Sequence, residues 1–210
     1  MANDTIDISI SKEEVAMMPT VKFGGAITLI DNPADVAPAI EYLRQADIVG
    51  FDTETKPNFR RGVANKVSLI QVSTDDRSFL FRLNKLGFTP EIKDFLECDD
   101  VLKVGLSLKD DFHSLRRVGQ FNQANFVELQ EMVRRFGIRD SSLRKVYAII
   151  FGERISKAQR LSNWEAPTLT VAQMVYASID AWACQRIYRT LIAGEFIPEE
   201  SPFVMYRPGC

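Results

Sequence analysis

The chain has 210 residues, 46% of them hydrophobic, with a formal net charge of -2 and a pI of about 5.6, enough for one core of ordinary size and with no global charge that advertises a polyanionic partner. Cys98, Cys184 and Cys210 are odd in number and widely spaced, which excludes a disulfide framework and a thiolate zinc site and points to reduced thiols. The start of the chain lacks the basic and apolar stretches of a secretion signal, and no run approaches the ~20 apolar residues of a membrane span, so a cytoplasmic protein without a membrane partner is expected.

Residues 1–20 read as an arm or docking segment. Alternation begins near Lys22, and Asp31-Asn32-Pro33 offers a helix start with Asn32 as cap and Pro33 in the first turn, followed by an apolar stripe of Val36, Ile40 and Leu43. Strand-like runs follow at 48–54, 67–72 and 78–83, the last two joined by the polar turn Ser73-Thr74-Asp75-Asp76-Arg77 as a hairpin. Residues 102–106 read as a further strand, and from Asp111 the pattern turns helical. Helices are expected at 125–136 before Gly137, at 142–151 before Gly152 and at 171–193 before Gly194, the last opened by a Thr170/Gln173 capping box. Strands first and helices later, with no internal repeat, make one mixed sheet flanked by helices the economical α/β fold.

Three features carry chemistry. Asp52 and Glu54, two apart in a strand, project to the same face while Phe51 and Thr53 point the other way. Crowded carboxylates repel unless a cation or a proton neutralises them, although an isolated Asp-x-Glu equally describes a strand ending in solvent. Tyr176 and Asp180 share one face of the long helix. Their neighbours Val175, Ile179, Ala183 and Ile187 suggest a covered helix, in which an inward Asp180 is costly unless paired; the other reading turns Asp180 to solvent or Arg186. The run 103–115 leads a strand into a helix whose first turn holds Asp110 and Asp111, which dipole complementarity alone would explain. The three together, in this order, are what joint ligation of hard divalent cations requires.

On these residues the chain resembles the DEDD superfamily of 3′-5′ exonucleases, in its ribonuclease D and Werner-syndrome exonuclease branch, over residues 22–193. The first motif is Phe51-Asp52-Thr53-Glu54, with Ser68-Leu69-Ile70-Gln71 where that family has its next core strand. The third is Tyr176-Ala177-Ser178-Ile179-Asp180-Ala181, preceded by Ser162-Asn163-Trp164. In the second motif, Lys103-Val104-Gly105 and Leu115 keep the family spacing only if Asp111, not Asp110, takes the ligand position. Val175 stands where the other subclass has histidine, so Tyr176 marks the tyrosine subclass, and His113, the chain's one histidine, is read as a helix-surface residue.

The resemblance implies a ribonuclease H-like single domain over 21–195, with an N-terminal arm at 1–20 and a C-terminal tail at 196–210. It implies two divalent ions, magnesium or manganese, one held mainly by Asp52, Glu54 and Asp180, the other by Asp52 with Asp111 directly or through water. Asp52, Glu54, Asp111, Tyr176 and Asp180 form the catalytic set, Tyr176 orienting the attacking water, and nucleoside 5′-monophosphates are the product. The partner is nucleic acid with a single-stranded or frayed 3′ end, DNA or RNA. Arg60, Arg61 and Lys66 are candidates for its phosphates, and Phe59 either stacks on a terminal base or fills the core. The basic pairs Arg116-Arg117, Arg134-Arg135 and Arg144-Lys145 read as solvated faces balancing nearby acids. A separate protein for targeting is a further expected partner, and the tail with Pro198, Pro202 and Pro208 is one place for it to dock. A non-catalytic nucleic-acid-binding module of the same fold and a ribonuclease H-like endonuclease are the competing readings.

Overall fold

Side-chain alternation gives each strand two faces to cover, and in the computed structural model, which describes residues 6–57 and 66–205, six strands pair into one mixed sheet. In chain order the elements are β1 (Asp7–Ile8), α1 (Lys12–Met17), β2 (Ala26–Ile30), α2 (Val36–Leu43), β3 (Ile48–Thr55), β4 (Val67–Ser73), β5 (Arg77–Phe81), α3 (Leu83–Leu86) and α4 (Pro90–Glu97). They continue as β6 (Leu102–Gly105), α5 (Leu108–Leu115), β7 (Phe126–Glu128), α6 (Leu129–Arg134), α7 (Leu143–Phe151), α8 (Val171–Ile192) and β8 (Val204–Met205). The six-stranded sheet has the order β2-β5-β4-β3-β6-β7. Its centre, β5-β4-β3, is antiparallel, while β2 on β5 and β6 and β7 beyond β3 run parallel to their neighbours.

Helices cover both faces. On one, Val49 and Phe51 of β3, Ile70 and Val72 of β4, and Phe79 and Phe81 of β5 pack against α2, α4 and α5. On the other, α8 lies across the middle of the sheet, with α6 and α7 beside it and Val104 beneath, and Leu69 and Leu80 meet Trp164, Leu169 and Ala177. The approach of α8 is set by Gly50, because a Cβ there would collide with the main-chain carbonyl of Ala181. No described helix is long and apolar enough to cross a membrane.

Several expected elements stand as read. Asn32 caps a 3-10 turn at Pro33–Asp35 that runs into α2, β4 and β5 form the hairpin, and α7 and α8 are followed by Gly152 and Gly194 at positive φ. Thr170 and Gln173 form the reciprocal capping box.

Four details differ. The first strand of the sheet begins at Ala26, and Leu83 opens α3 rather than ending a strand. Helix α4 was not expected, although Thr89 caps it and Pro90 occupies its first turn. The span 125–136 splits into β7 and α6. Three residues are too few to show a period, and what makes them a strand is non-local: Phe126, Val127 and Glu128 pair with Lys103, Val104 and Gly105, while the Phe126 ring packs 5.3 Å from Phe51 and 4.9 Å from Phe112. Strands therefore do not all precede helices.

The N-terminal segment lies against the domain. Ile8, Ile10 and Val15 are buried with α6, α7 and α8, and β1 pairs with β8 in a separate two-stranded sheet. Cys98 and Cys184 are free thiols.

Candidate active site

β3 carries two carboxylates out of the core. Its alternation sends Phe51 into the α2–α4–α5 layer and places Asp52 and Glu54, both half-buried, beneath α8. A bulge in the β3–β4 register between Glu54 and Thr55 ends regular pairing beside the site, a common place for a strand to re-aim its side chains. From above, α8 supplies Asp180, only 7% exposed. Carboxylate oxygens of Asp52, Glu54 and Asp180 lie within 4.8 Å of one another.

Asp111 approaches from α5. That helix begins at Ser107, in the left-handed region at φ 67° and without a side-chain cap of its own. The helix-opening N–H groups of Ser107 and Leu108 instead donate to the carboxylate of Glu128 in β7, at 3.0 and 2.7 Å. The favourable position for an acid at this helix N-terminus is thus filled from another strand, which leaves Asp111 available to its neighbours. Thr53 donates its hydroxyl to the Asp111 carboxylate, and Asp111 acts electrostatically on Asp52 and Glu54. Asp110 is exposed. The two adjacent aspartates therefore differ in environment, Asp111 being half-buried against Thr53 and Asp110 facing solvent.

Tyr176, one turn before Asp180, is hydrogen-bonded to that carboxylate and packs against Trp164, ring centroids 6.1 Å apart. Trp164 is fully buried, and its segment is tied down twice. Buried Arg82 donates to the carbonyl oxygens of Pro167, at 2.9 Å, and Ala166, and Gln173 donates to the carbonyl of Asn163 at 3.3 Å. Arg186 does not serve Asp180: it pairs with Glu153 at 3.4 Å and lies over the Phe151 ring.

Gathering four carboxylates in low dielectric disfavours their charged forms. Burial, then the charges of Asp111, Asp180 and Glu54, push Asp52 well above the usual carboxylate range. Burial, then Asp180 and Asp111, raise Glu54 to about 9. Burial lifts Asp111 to about 7 against the Thr53 hydrogen bond, and Asp180 to about 7 against the hydrogen bond from Tyr176 and the charge of Arg144. Burial and the adjacent Asp180 raise Tyr176 too, so its phenol keeps its proton at neutral pH. A hard divalent cation would relieve this repulsion, and an all-carboxylate oxygen set is the donor chemistry that magnesium and manganese prefer. The residues fit such a group.

Phe59, Arg60 and Arg61 lie outside the described residues, and Lys66 is exposed just before β4. His113 is exposed and meets Arg117 at 3.1 Å; Arg116 binds Gln123. Lys145 is paired with Asp140 at 2.7 Å, but Arg144 is no solvated balancing charge. It lines a cleft of about 730 Å³ together with Asp52, Tyr176 and Asp180, because the first turn of α7 opens onto the site. Sequence reasoning also missed Thr53, Glu128 and Gln71. The last is fully buried opposite Asp52 in the β3–β4 register, with both amide atoms unpartnered. Its buried cross-strand position follows from hairpin register, which was the one available signal.

Comparison with known proteins places this geometry in a family. A profile described as 3′-5′ exonuclease matches residues 27–193. The chain is 28% identical over 184 residues to the bifunctional 3′-5′ exonuclease/ATP-dependent helicase WRN of Mus musculus, an alignment covering 83% of this chain and 13% of that protein's length. Among solved structures, the Nibbler EXO domain of Aedes aegypti matches with a TM-score of 0.71 and 22% identity, over 83% of this chain and 92% of that one. Trypanosoma brucei RNase D in complex with RNA U12 matches with a TM-score of 0.72 and 17% identity, over 84% and 65%. At such identities the structural likenesses bear on the fold alone. The profile match runs from β2 to just past α8 and takes in Asp52, Glu54, Asp111, Tyr176 and Asp180, and by it the chain belongs to the 3′-5′ exonuclease family.

Proposed function

We propose that this protein is a divalent-metal-dependent exonuclease that hydrolyses the terminal phosphodiester at a free 3′ end of a nucleic acid and releases nucleoside 5′-monophosphates. The observation that carries the reading is the convergence of Asp52, Glu54 and Asp180 within 4.8 Å, with Asp111 bound to Thr53 alongside. Asp52, Glu54 and Asp180 would hold one ion, and Asp52 with Asp111, directly or through water, a second. When bound, such ions supply Lewis-acid polarisation of the phosphate and a water of lowered pKa.

The chain's own groups do the rest. The Tyr176 phenol, protonated and held between Trp164 and Asp180, orients the attacking water by a hydrogen bond rather than acting as the base. The water oxygen bonds to phosphorus, the bond from phosphorus to the 3′ oxygen breaks, and the shortened strand leaves with a protonated 3′ hydroxyl. The two-ion arrangement, the product and the nucleic-acid substrate are parts of the proposal. The RNA bound to Trypanosoma brucei RNase D supports a nucleic-acid partner of that chemical class, and DNA is the alternative to be run beside it.

The test uses 5′-labelled DNA and RNA oligonucleotides with free or 3′-phosphorylated ends, in magnesium or manganese. A ladder shortening from the free 3′ end, spared by the blocked end and lost in Asp52→Ala, is expected. Internal cuts that ignore the end would replace the reading with an endonuclease, and binding without turnover would replace it with a non-catalytic module.

A further inference from the structure

The cleft holding Asp52, Tyr176 and Asp180 has a second, positively charged wall. Arg144 from α7, Lys157 and Arg160 from the segment between α7 and α8, and Lys12 at the start of α1 all line the same space of about 730 Å³. Among the described residues none of these four forms an ion pair, whereas Lys145, adjacent to Arg144, is neutralised by Asp140 at 2.7 Å. Four like charges on one wall repel one another. An anion laid along them would remove that cost, while the carboxylates lining the same cleft repel the same anion unless cations cover them.

Arg144 occupies the junction between the two signs. Its Nε donates to the carbonyl of Ile155 at 2.7 Å, which fixes the side chain while the terminal guanidinium nitrogens have no hydrogen-bond partner among the described residues. It is close enough to act electrostatically on both Tyr176 and Asp180. Lys12 has a different origin. Helix α1 lies before the residues matched by the family profile, which begin at 27, yet it is built to stay in place: Ser11 and Glu14 form a capping box, and Val15 is 3% exposed in the core. Val15 and Ala16 also line the cleft, so its outer wall belongs to the N-terminal segment.

We propose that this wall is the track of the substrate strand, with Arg144 contacting the phosphate at the carboxylates, and Lys157, Arg160 and Lys12 holding phosphates upstream of it. The N-terminal segment is then part of the substrate site. The inference rests on the exonuclease reading for what happens at the carboxylates, but the binding it describes does not need turnover. Single-stranded nucleic acid fits the arrangement because point charges and the apolar side chains of Val15, Leu106 and Leu143 line the same cleft, a combination that holds a backbone and its unpaired bases together.

Fluorescence anisotropy of labelled oligothymidylate and oligouridylate on the Asp52→Asn protein in EDTA, over a series of KCl concentrations, reads binding alone. Each phosphate neutralised contributes about -0.7 to the slope of log K against log salt for single strands, so four contacts give about -2.8. Lys12→Gln and Arg160→Gln, both exposed positions, are each expected to flatten that slope by about 0.7, and in the otherwise unchanged protein to raise KM with kcat retained. Arg144→Ala is expected to lower kcat by about 10²-fold, the cost of removing one preorganised donor at the reacting group, and Arg144→Lys to recover part of it. A salt slope and KM indifferent to Lys12→Gln and Arg160→Gln overturn the track. Salt-sensitive binding that weakens in those variants, with no shortening of a free 3′ end by the unmodified protein in either metal, overturns the exonuclease reading and leaves the track standing.

Discussion

The two faces of β3 are one residue apart in register and opposite in purpose. Val49 and Phe51 are fully buried among aliphatic and aromatic side chains of α2, α4 and α5, and the ring of Phe51 meets that of Phe126. On the reverse, Gly50, Asp52 and Glu54 lie under α8, with the carboxylates crowded by Asp180. The first face gains free energy by excluding water, and that gain holds the second face in an arrangement that costs free energy without cations. The strand is a lever between them. A dry, close-packed layer makes its position stiff enough for the opposite layer to keep like charges together.

The comparison breaks most visibly when adjacent residues are exchanged for small neutral ones in the metal-free protein at pH 8. Phe51→Ala removes a fully buried ring and is expected to cost about 3–5 kcal/mol, or on the order of 10 °C in Tm for a chain of this size. Asp52→Asn, one position along, is expected to raise Tm, because it removes a carboxylate whose charged form is opposed by burial and by Asp111, Asp180 and Glu54. Thermal melts of the two variants in EDTA decide the matter. A fall in Tm for both would mean that the carboxylate face is paired and stabilising by itself.

That contrast also shows what the sequence could and could not reveal. The alternation Phe51-Asp52-Thr53-Glu54 assigns faces from a period of two, and the Tyr176-to-Asp180 interval assigns a helix face from a period of 3.6, so both were readable locally. The dense capping signals at Thr170 and Gln173 made α8 legible to within a residue. What escaped depends on partners distant in sequence. Glu128 reads as an ordinary helical acid until β7 pairs with β6 and brings it to the start of α5. Arg144 reads as half of a basic pair until the first turn of α7 is placed beside the carboxylates. Lys12, in a segment without recognisable chemistry, joins the cleft only because Ile8, Ile10 and Val15 bury themselves against α6, α7 and α8.

The contrast sharpens with pH. Glu54 is raised from 4.5 to about 9, so between those values the folded state holds a proton that the unfolded chain has released. Stability is then linked negatively to pH across this window: the contribution is whole below about 4.5 and is lost as pH climbs to about 9. Divalent cations compete for the same oxygens and need them deprotonated. Manganese or magnesium at a hundred times its Kd should stabilise by about 2.7 kcal/mol, or about 5–10 °C, at pH 8, with a smaller gain at the same metal concentration at pH 5.5. Melts with and without metal at the two pH values test this. An equal gain at both would detach the cation from these carboxylates, and a metal-free Tm that rises from pH 5.5 to 8 would reverse the sign assigned to Glu54.

The smallest effect belongs to the connection between the faces. Glu128 touches none of Asp52, Glu54 or Asp180, yet its carboxylate accepts from the N–H groups of Ser107, Leu108 and Gln130, and so sets where α5 begins and where Asp111 stands against Thr53. Glu128→Gln keeps an acceptor oxygen but removes the charge at the helix N-terminus, a change of about 0.3–1 kcal/mol and therefore about 1–4 °C in Tm. If Glu128 only caps the helix, that small loss is the whole effect, and the manganese concentration giving half-maximal turnover stays fixed. A positioning role predicts more: a higher half-maximal manganese concentration and a lower kcat, with oligonucleotide KM unchanged, because the strand does not touch Glu128 while Asp111 depends on it. Asp111→Asn in the same background then discriminates further. With Asp111 already neutral, the additional Glu128→Gln change should leave the manganese dependence where Asp111→Asn put it. Two independent shifts that simply add would show that Glu128 reaches the site by some route other than Asp111.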